Sequence, residues 1–253
     1  MQVGAHVPSQ HPLAEADARD ADLVQIFLSN PQSWKKPNPR DDAEQLRESP
    51  IPIIVHAPYL INVCADNNRV RIPSRKILQD TCDAASEIDA AAVVVHGGHV
   101  TGDGPQEEGI VRWRKALDAL DTDRQVLIEN TAGGDKALAR RVDWIKRLWD
   151  EIGPYDVGFV LDTCHAWAGG EPFDGLVERV LDATGRIDLV HANDSKDPFD
   201  SHRDRHENLG AGKIPAEDLG RVIVAAGAPV VVETPGGAKE QAADIKWIRG
   251  LTG

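Results

Sequence analysis

Along this chain, short apolar runs rich in Val and Ile alternate with longer segments in which apolar residues recur at helical spacing. The runs predict strands near 2–6, 22–28, 52–56, 92–96, 125–129, 157–162, 187–191 and 229–233. Helical patterns lie between them, for example at 74–90, 109–120, 136–152, 173–184, 216–226 and 238–249. Ser74 is placed to cap the helix it opens, and Gly153-Pro154 stops the helix before it. Eight strand-helix units follow one another with no low-complexity linker. The prediction is an α/β fold, a single (β/α)8 TIM barrel with residues 1–253 as one domain, a length that such barrels commonly have.

The strand ends change the picture from fold to chemistry. Seven of the eight predicted strands finish on a residue that can bind a metal or move a proton: His6, His56, His96, Glu129, Asp162, His191 and Glu233. In a barrel the C-terminal ends of all strands surround one mouth, so these residues converge although they span 227 positions from His6 to Glu233. A lone histidine closing an apolar strand is ordinarily a hydrogen-bonded core residue, but seven ionisable groups on one rim would be costly to bury unpaired. Loops add more donors. Asp162-Thr163-Cys164-His165 follows the sixth strand, and the segment 190–212, with three histidines and four aspartates, contains Asp204-Arg205-His206. Imidazole with carboxylate suits zinc and its neighbours, whereas magnesium and calcium prefer oxygen alone. Cys164 reads as a small buried residue, and His11, His99 and His202 as spare histidines outside the ligand set.

Charge complicates the choice of partner. A formal charge of −13 argues against a polyanion, yet three divalent ions would bring it to −7 and concentrate the difference at the mouth. Basic residues cluster in SWKKPNPR and NNRVRIPSRK. Three cysteines without a CxxC pair fit a reducing compartment. The start lacks a basic region followed by an apolar run, and no run approaches the ~18 apolar residues of a membrane span, so a cytoplasmic protein with no membrane partner is expected.

The motifs GAHV, QIFLSNPQSW, HAPYLIN, VVVHGGH, IENTAGG, LDTCHAWAGG, HANDSKD with DRHENLGAGKI, and VVETP follow one another across nearly the whole chain. In that order they resemble the endonuclease IV family of apurinic/apyrimidinic (AP) endonucleases, and in particular its short actinobacterial members. The resemblance implies a barrel with a trinuclear zinc site at the C-terminal rim of the strands, with Mn2+ an acceptable occupant of one position. His56, His96 and Glu129 would hold one ion, with Glu129 bridging to a second completed by Asp162, His191 and Glu233. His165, Asp204 and His206 would hold the third, and His6 would lie near the cluster without binding.

The implied activity is that of a hydrolase of the deoxyribonuclease IV type, producing 5′-phosphomonoesters in base excision repair. It would cut the phosphodiester 5′ of an abasic site in double-stranded DNA, leaving a 3′-hydroxyl and a 5′-deoxyribose phosphate, and would trim blocked 3′ ends. Glu129, Asp162 and Glu233 are the expected catalytic residues, with Glu233 orienting the attacking hydroxide. The family bends DNA and turns the abasic nucleotide out of the stack. Tyr59 and Leu60 match its insertion pair, and Gln32 stands where other members carry an intercalating arginine, so a cation and a stacking plane are lost. Trp34, Lys35, Arg69, Arg71, Arg75, Arg203 and Arg205 complete the expected DNA contacts. The family precedent is a monomer with no obligate protein partner. The rival is a divalent-metal sugar isomerase or epimerase of the xylose isomerase type, for which the third ligand group and the insertion loops have no use.

Overall fold

A computed structural model describes residues 1–252. In chain order it runs β1 (Val3–His6), α1 (Pro12–Arg19), β2 (Val24–Phe27), α2 (Ala43–Arg47), β3 (Ile53–His56), α3 (Asn68–Glu87), β4 (Ala92–His96), α4 (Glu107–Leu117) and β5 (Gln125–Glu129). It continues with α5 (Val142–Ile152), β6 (Gly158–Asp162), α6 (Thr163–Ala168), α7 (Leu176–Thr184), β7 (Leu189–His191), β8 (Asp194–Ser195), β9 (His206–Glu207), α8 (Ala216–Ala226), β10 (Val230–Val232) and α9 (Ala238–Arg249). Eight strands close a barrel in the order β1-β10-β7-β6-β5-β4-β3-β2, all pairs parallel, and β8 and β9 form a separate antiparallel pair. Among the described residues no helix is long and apolar enough to cross a membrane.

The strands are apolar on both faces because helices cover the outside and side chains fill the inside. Leu23, Ile54, Ala92, Val94, Leu127, Val160, Leu189 and Val231 form one compact cluster, separate from the larger core that the helices share with the strands. Side chains alternate across a strand, so the residue two positions beyond an inward-facing one also faces inward. Ile54 is followed in this way by His56, Val94 by His96, Leu127 by Glu129, Val160 by Asp162, Leu189 by His191 and Val231 by Glu233. The apolar plug thus forms the floor on which the ionisable layer stands.

Three sequence expectations need correction. The third helix starts at Asn68, with the Asn67 side chain accepting from the Arg69 N–H at 2.9 Å, and Ser74 lies buried inside it, donating to the Val70 carbonyl at 2.8 Å. Pro73 also lies inside the helix, in its second turn. Residues 136–141 are not helical. They run against residues 98–100 through Leu138 N–H to Gly98 and Val100 N–H to Lys136, which fixes the loops after β4 and β5 beside the mouth. Glu233 lies one residue past β10, its N–H donating to Asn193 Oδ1 at 2.9 Å instead of to a strand.

The segment 194–214 carries the longest excursion over the mouth, and one buried carboxylate closes it. Asp194 accepts four backbone N–H groups: Oδ1 from Ser195 (2.7 Å) and Ile214 (3.0 Å), Oδ2 from Gly210 (3.1 Å) and Gly212 (2.9 Å). Gly212 has no alternative, since a Cβ there would lie 2.3 Å from Asp194 Oδ1. Asp194→Asn turns an amide NH2 onto N–H donors and should cost about 2–3 kcal/mol, lowering the melting temperature by roughly 5 °C or more. Thermal denaturation tests this, together with hydrogen exchange over 196–212, where protection should fall most; an unchanged melting temperature would remove Asp194 from this role.

Candidate metal centre

Four groups of candidate ligands meet at the C-terminal mouth of the barrel. They are His56, His96 and Glu129; Glu129, Asp162, His191 and Glu233; Asp162, His165 and His206; and Cys164, Asp204 and His206, with ligand atoms in each group within 4.8 Å of one another. The first two sets are those expected from the sequence. The expected third set is joined through Asp204, whose Oδ2 lies 3.1 Å from His165 Nε2 and whose Oδ1 lies 3.0 Å from His206 Nε2. Cys164 comes within reach of this set, which the sequence did not suggest, but burial pushes its thiol up to about 12 and keeps it a protonated, weaker donor than its neighbours. His165 is on α6, a helix absent from the sequence reading, and Asp162 is the N-cap of that helix, accepting from the His165 N–H at 2.6 Å.

The histidines show which nitrogen each offers. His56 donates from Nδ1 to the Ala57 carbonyl (2.7 Å), His165 from Nδ1 to the Asn130 carbonyl (2.9 Å) and His206 from Nδ1 to the Glu233 carbonyl (3.2 Å). Since a carbonyl can only accept, the proton is on Nδ1 and the Nε2 lone pair faces the mouth. His56 Nε2 and His96 Nε2 both lie 3.2 Å from Glu129 Oε2. His165 Nε2 and His206 Nε2 are buried, and although Asp204 oxygens lie 3.1 and 3.0 Å away they are not aligned for a hydrogen bond with either. Imidazole nitrogens and carboxylate oxygens are therefore crowded to 3.0–3.2 Å, an arrangement that repels unless a cation stands among them.

Without a metal, protons take that place. Burial by itself would lower His191 and His206, but Glu233 and Glu129 around the first, and Asp204 and Asp162 around the second, raise each to about 9. His165 is likewise raised against burial by Asp162 and Asp204. Burial by itself would raise Glu129, but His191, His96 and His165 hold it well below the usual carboxylate range, and Glu233 is lowered by His191 and His6. His56 is lowered by burial, and Asp162 is raised by it.

Supporting amides that the sequence reading missed hold the carboxylates. Asn193 Nδ2 donates to Asp162 Oδ2 (2.7 Å), and Asn130 Oδ1 accepts the Asp162 N–H (2.7 Å). Gln25, fully buried in β2, touches both His191 and Glu233. Their only sequence signal was a polar residue within or just after an apolar run. His6 sits beside Glu233 at 3.0 Å as expected.

Around the mouth, Tyr59 is 52% exposed, set edge-on to Phe27 and stacked on His96. Trp34, Gln32, Lys35 and Arg69 are exposed, and Leu60 is half-buried. Three of the four remaining cations are already engaged, while Arg203 stays largely exposed. Arg71 donates to the Ala65 and Asp66 carbonyls, Arg75 to the Arg112 carbonyl, and Arg205 pairs with Asp197, 3.7 Å from Arg203.

The chain matches the xylose isomerase-like TIM barrel family over residues 13–251. It is 58% identical over 253 residues, all of both chains, to a protein of Mycobacterium tuberculosis (strain CDC 1551 / Oshkosh) described as a probable endonuclease 4. It is 59% identical over 252 residues to one so described from Mycobacterium leprae (strain TN), covering 100% of this chain and 99% of that one. The solved endonuclease IV of Thermus thermophilus superposes with a TM-score of 0.87 at 29% identity, covering 100% of this chain and 99% of that chain. A D-tagatose 3-epimerase-like protein superposes at 0.81 with 19% identity, covering 100% and 97%, a likeness of fold alone.

The raised histidines make a prediction for the metal-free protein. A folded value of about 9 for His191 and His206 against 6.5 in the unfolded chain contributes stability that is complete below pH 6.5 and lost as pH rises through 9. Metal-free protein should lose about 2 kcal/mol or more between pH 6.5 and 9.5, or roughly 4–8 °C, and saturating zinc should flatten that slope. Melting curves across this range with chelator and with zinc test it; equal slopes in both would count against the assignment of these protons.

Proposed function

We propose, for a chain that belongs to the endonuclease IV family of xylose isomerase-like TIM barrels, that it is a zinc-dependent AP endonuclease acting on double-stranded DNA at abasic sites. The observation that carries this reading is the meeting of five imidazoles and four carboxylates, with acceptor atoms facing acceptor atoms, in a chain so similar to proteins described as probable endonuclease 4. The donor chemistry fits borderline divalent ions, and zinc best among the abundant ones. We assign His56, His96 and Glu129 to one ion, Glu129, Asp162, His191 and Glu233 to a second, and His165, Asp204 and His206 to a third.

When bound, such ions neutralise charge on the phosphodiester and its leaving oxygen and lower the pKa of a water to roughly 7. The chain's own residues do the rest. Glu129, fully buried between the histidines, stays ionised and joins the first two ligand groups. Glu233 is 16% exposed and faces the mouth, placed to orient the attacking hydroxide toward phosphorus. Asp162 holds α6, and with it His165, at the third position. Cleavage 5′ of the abasic sugar leaves a 3′-hydroxyl and a 5′-deoxyribose phosphate, the products base excision repair requires; trimming of blocked 3′ ends is the same displacement at a strand terminus. The cavity over the ligands, about 380 Å³ and walled by Phe27 and Tyr59, has room for a sugar without its base. A sugar isomerase would not need the third donor group, which favours the nuclease.

For DNA contact we assign Tyr59 and Leu60 to insertion at the lesion, with Gln32, Trp34, Lys35 and Arg69 on the strands. Arg71, Arg75, Arg203 and Arg205 act on DNA through the loops they brace or by changing partners. With few free cations and Gln32 in place of an arginine, affinity should be modest and should fall steeply with salt.

A duplex with one abasic-site analogue should be nicked on its 5′ side, and a strong chelator should abolish the cut. Glu129→Gln and Glu233→Gln should each slow incision about a hundredfold or more with circular dichroism unchanged. Full incision by both variants would sink the assignment, and metal analysis finding one magnesium instead of about three zincs would favour the isomerase. Gln32→Arg should tighten binding to the same duplex severalfold in a salt titration.

A further inference from the structure

His191 differs from His56, His165 and His206 in what fixes its proton. His56, His165 and His206 each donate to a backbone carbonyl, which no substitution can remove. His191 meets only side chains: its Nε2 lies 2.9 Å from the Gln25 amide Oε1, and its Nδ1 2.9 Å from Glu129 Oε1 on the metal side. The same amide's Nε2 lies 2.6 Å from Glu233 Oε1 and 2.9 Å from His6 Nδ1.

The orientation of this amide follows from chemistry. The amide nitrogen lies 2.6 Å from Glu233 Oε1, a carboxylate oxygen that accepts, so the NH2 group faces Glu233 and the amide oxygen faces His191. An amide oxygen also only accepts, so the proton of His191 is on Nε2. Its Nδ1 is then the nitrogen presented to the metal side, 2.9 Å from Glu129 Oε1 and 3.5 Å from Glu233 Oε2. His191 thereby uses the opposite nitrogen from His56, His165 and His206.

We propose that Gln25 is the positioning residue of the second ion: one amide selects the nitrogen with which His191 binds and holds the Glu233 carboxylate opposite it. This rests on the assignment of His191 and Glu233 to one divalent ion. Packing alone gives no reason for the residue. Gln25 is fully buried between Val24 and Ile26, where an apolar side chain would avoid the desolvation cost of an amide. Its position on β2 also explains why this strand, which ends on Phe27 instead of a ligand, still contributes to the centre. Outer partners of ligating histidines typically account for about 10–100-fold in metal affinity.

The test uses Gln25→Met, close in length and without hydrogen bonds. Metal-free full-length protein is reloaded with zinc in competition with a chromophoric chelator, and the metal-free melting temperature is measured alongside. One ion per chain should bind about 10–100-fold more weakly while the metal-free melting temperature stays within about 3 °C of wild type. In zinc-loaded wild-type protein, long-range nitrogen-proton NMR should place the His191 proton on Nε2, a measurement that does not depend on the variant folding. Unchanged zinc affinity in Gln25→Met, a fall in metal-free stability without a fall in affinity, or a proton on Nδ1 of His191 would each overturn the proposal. If wild-type protein itself takes up no divalent ion, the assignment of the centre fails first, and the proposal with it.

Discussion

The structure depends on the electrostatics of one layer of side chains. Four carboxylates and five imidazoles share the barrel mouth, and the geometry leaves imidazole nitrogens crowded against anionic oxygens 2.9 to 3.2 Å away. In a buried setting this arrangement is tolerable only with positive charge between the donors, either protons or metal ions. The raised histidines and depressed glutamates are two expressions of that single requirement. A reaction that brings a phosphodiester to the mouth needs the same positive charge, so the constraint on folding and the requirement of the chemistry coincide.

Much of the remaining architecture serves to hold that layer still. The apolar plug of Leu23, Ile54, Val94, Leu127, Val160, Leu189 and Val231 fixes the inward parity of its strands, and two positions later come Gln25 on β2 and a candidate ligand on each of the others. Buried amides then link strands that are distant in sequence: Asn130 and Asn193 tie β5, β7 and β10 to Asp162, and Gln25 ties β2 to β7 and β10. Asp194 does comparable work for the loop that brings Asp204 and His206 over the mouth, by gathering four N–H groups. The opposite end of the barrel is braced by ion pairs: Arg124 to Asp89 and Asp123, Arg186 to Asp156 and Asp188, Arg249 to Asp20 and Asp22. Such a division, with chemistry at the C-terminal face and bracing at the other, is general for these barrels.

Electrostatics also separates the cations the chain carries from those it can offer to DNA. The basic cluster around Arg69, Arg71 and Arg75 reads as a phosphate-binding patch, yet Arg71 donates to backbone carbonyls of the loop that follows Tyr59 and Arg75 to a carbonyl of α4. Arg205 is held by Asp197, which lies in the same loop as Asp204. A charge count along a chain cannot distinguish a cation facing solvent from one that closes a turn, because the distinction depends on carbonyls positioned by the fold.

By itself the sequence determined the barrel and most of the layer of candidate ligands at its mouth. Period-two alternation with covered faces makes each strand an apolar run, and an ionisable residue at its end is legible because nothing else interrupts that run. His56, His96, Glu129, Asp162 and His191 were visible for that reason, and Asp204 with His206 because their spacing is local. Only the tertiary structure decided which nitrogen each histidine presents, that Asp162 caps the short helix bearing His165, and that Gln25 meets partners 166 and 208 residues away. Those facts depend on distances across a closed barrel, and hydrogen bonding to a distant partner leaves no periodicity in a chain. A lone Gln in V-Q-I-F marks a buried polar group but not what it is for.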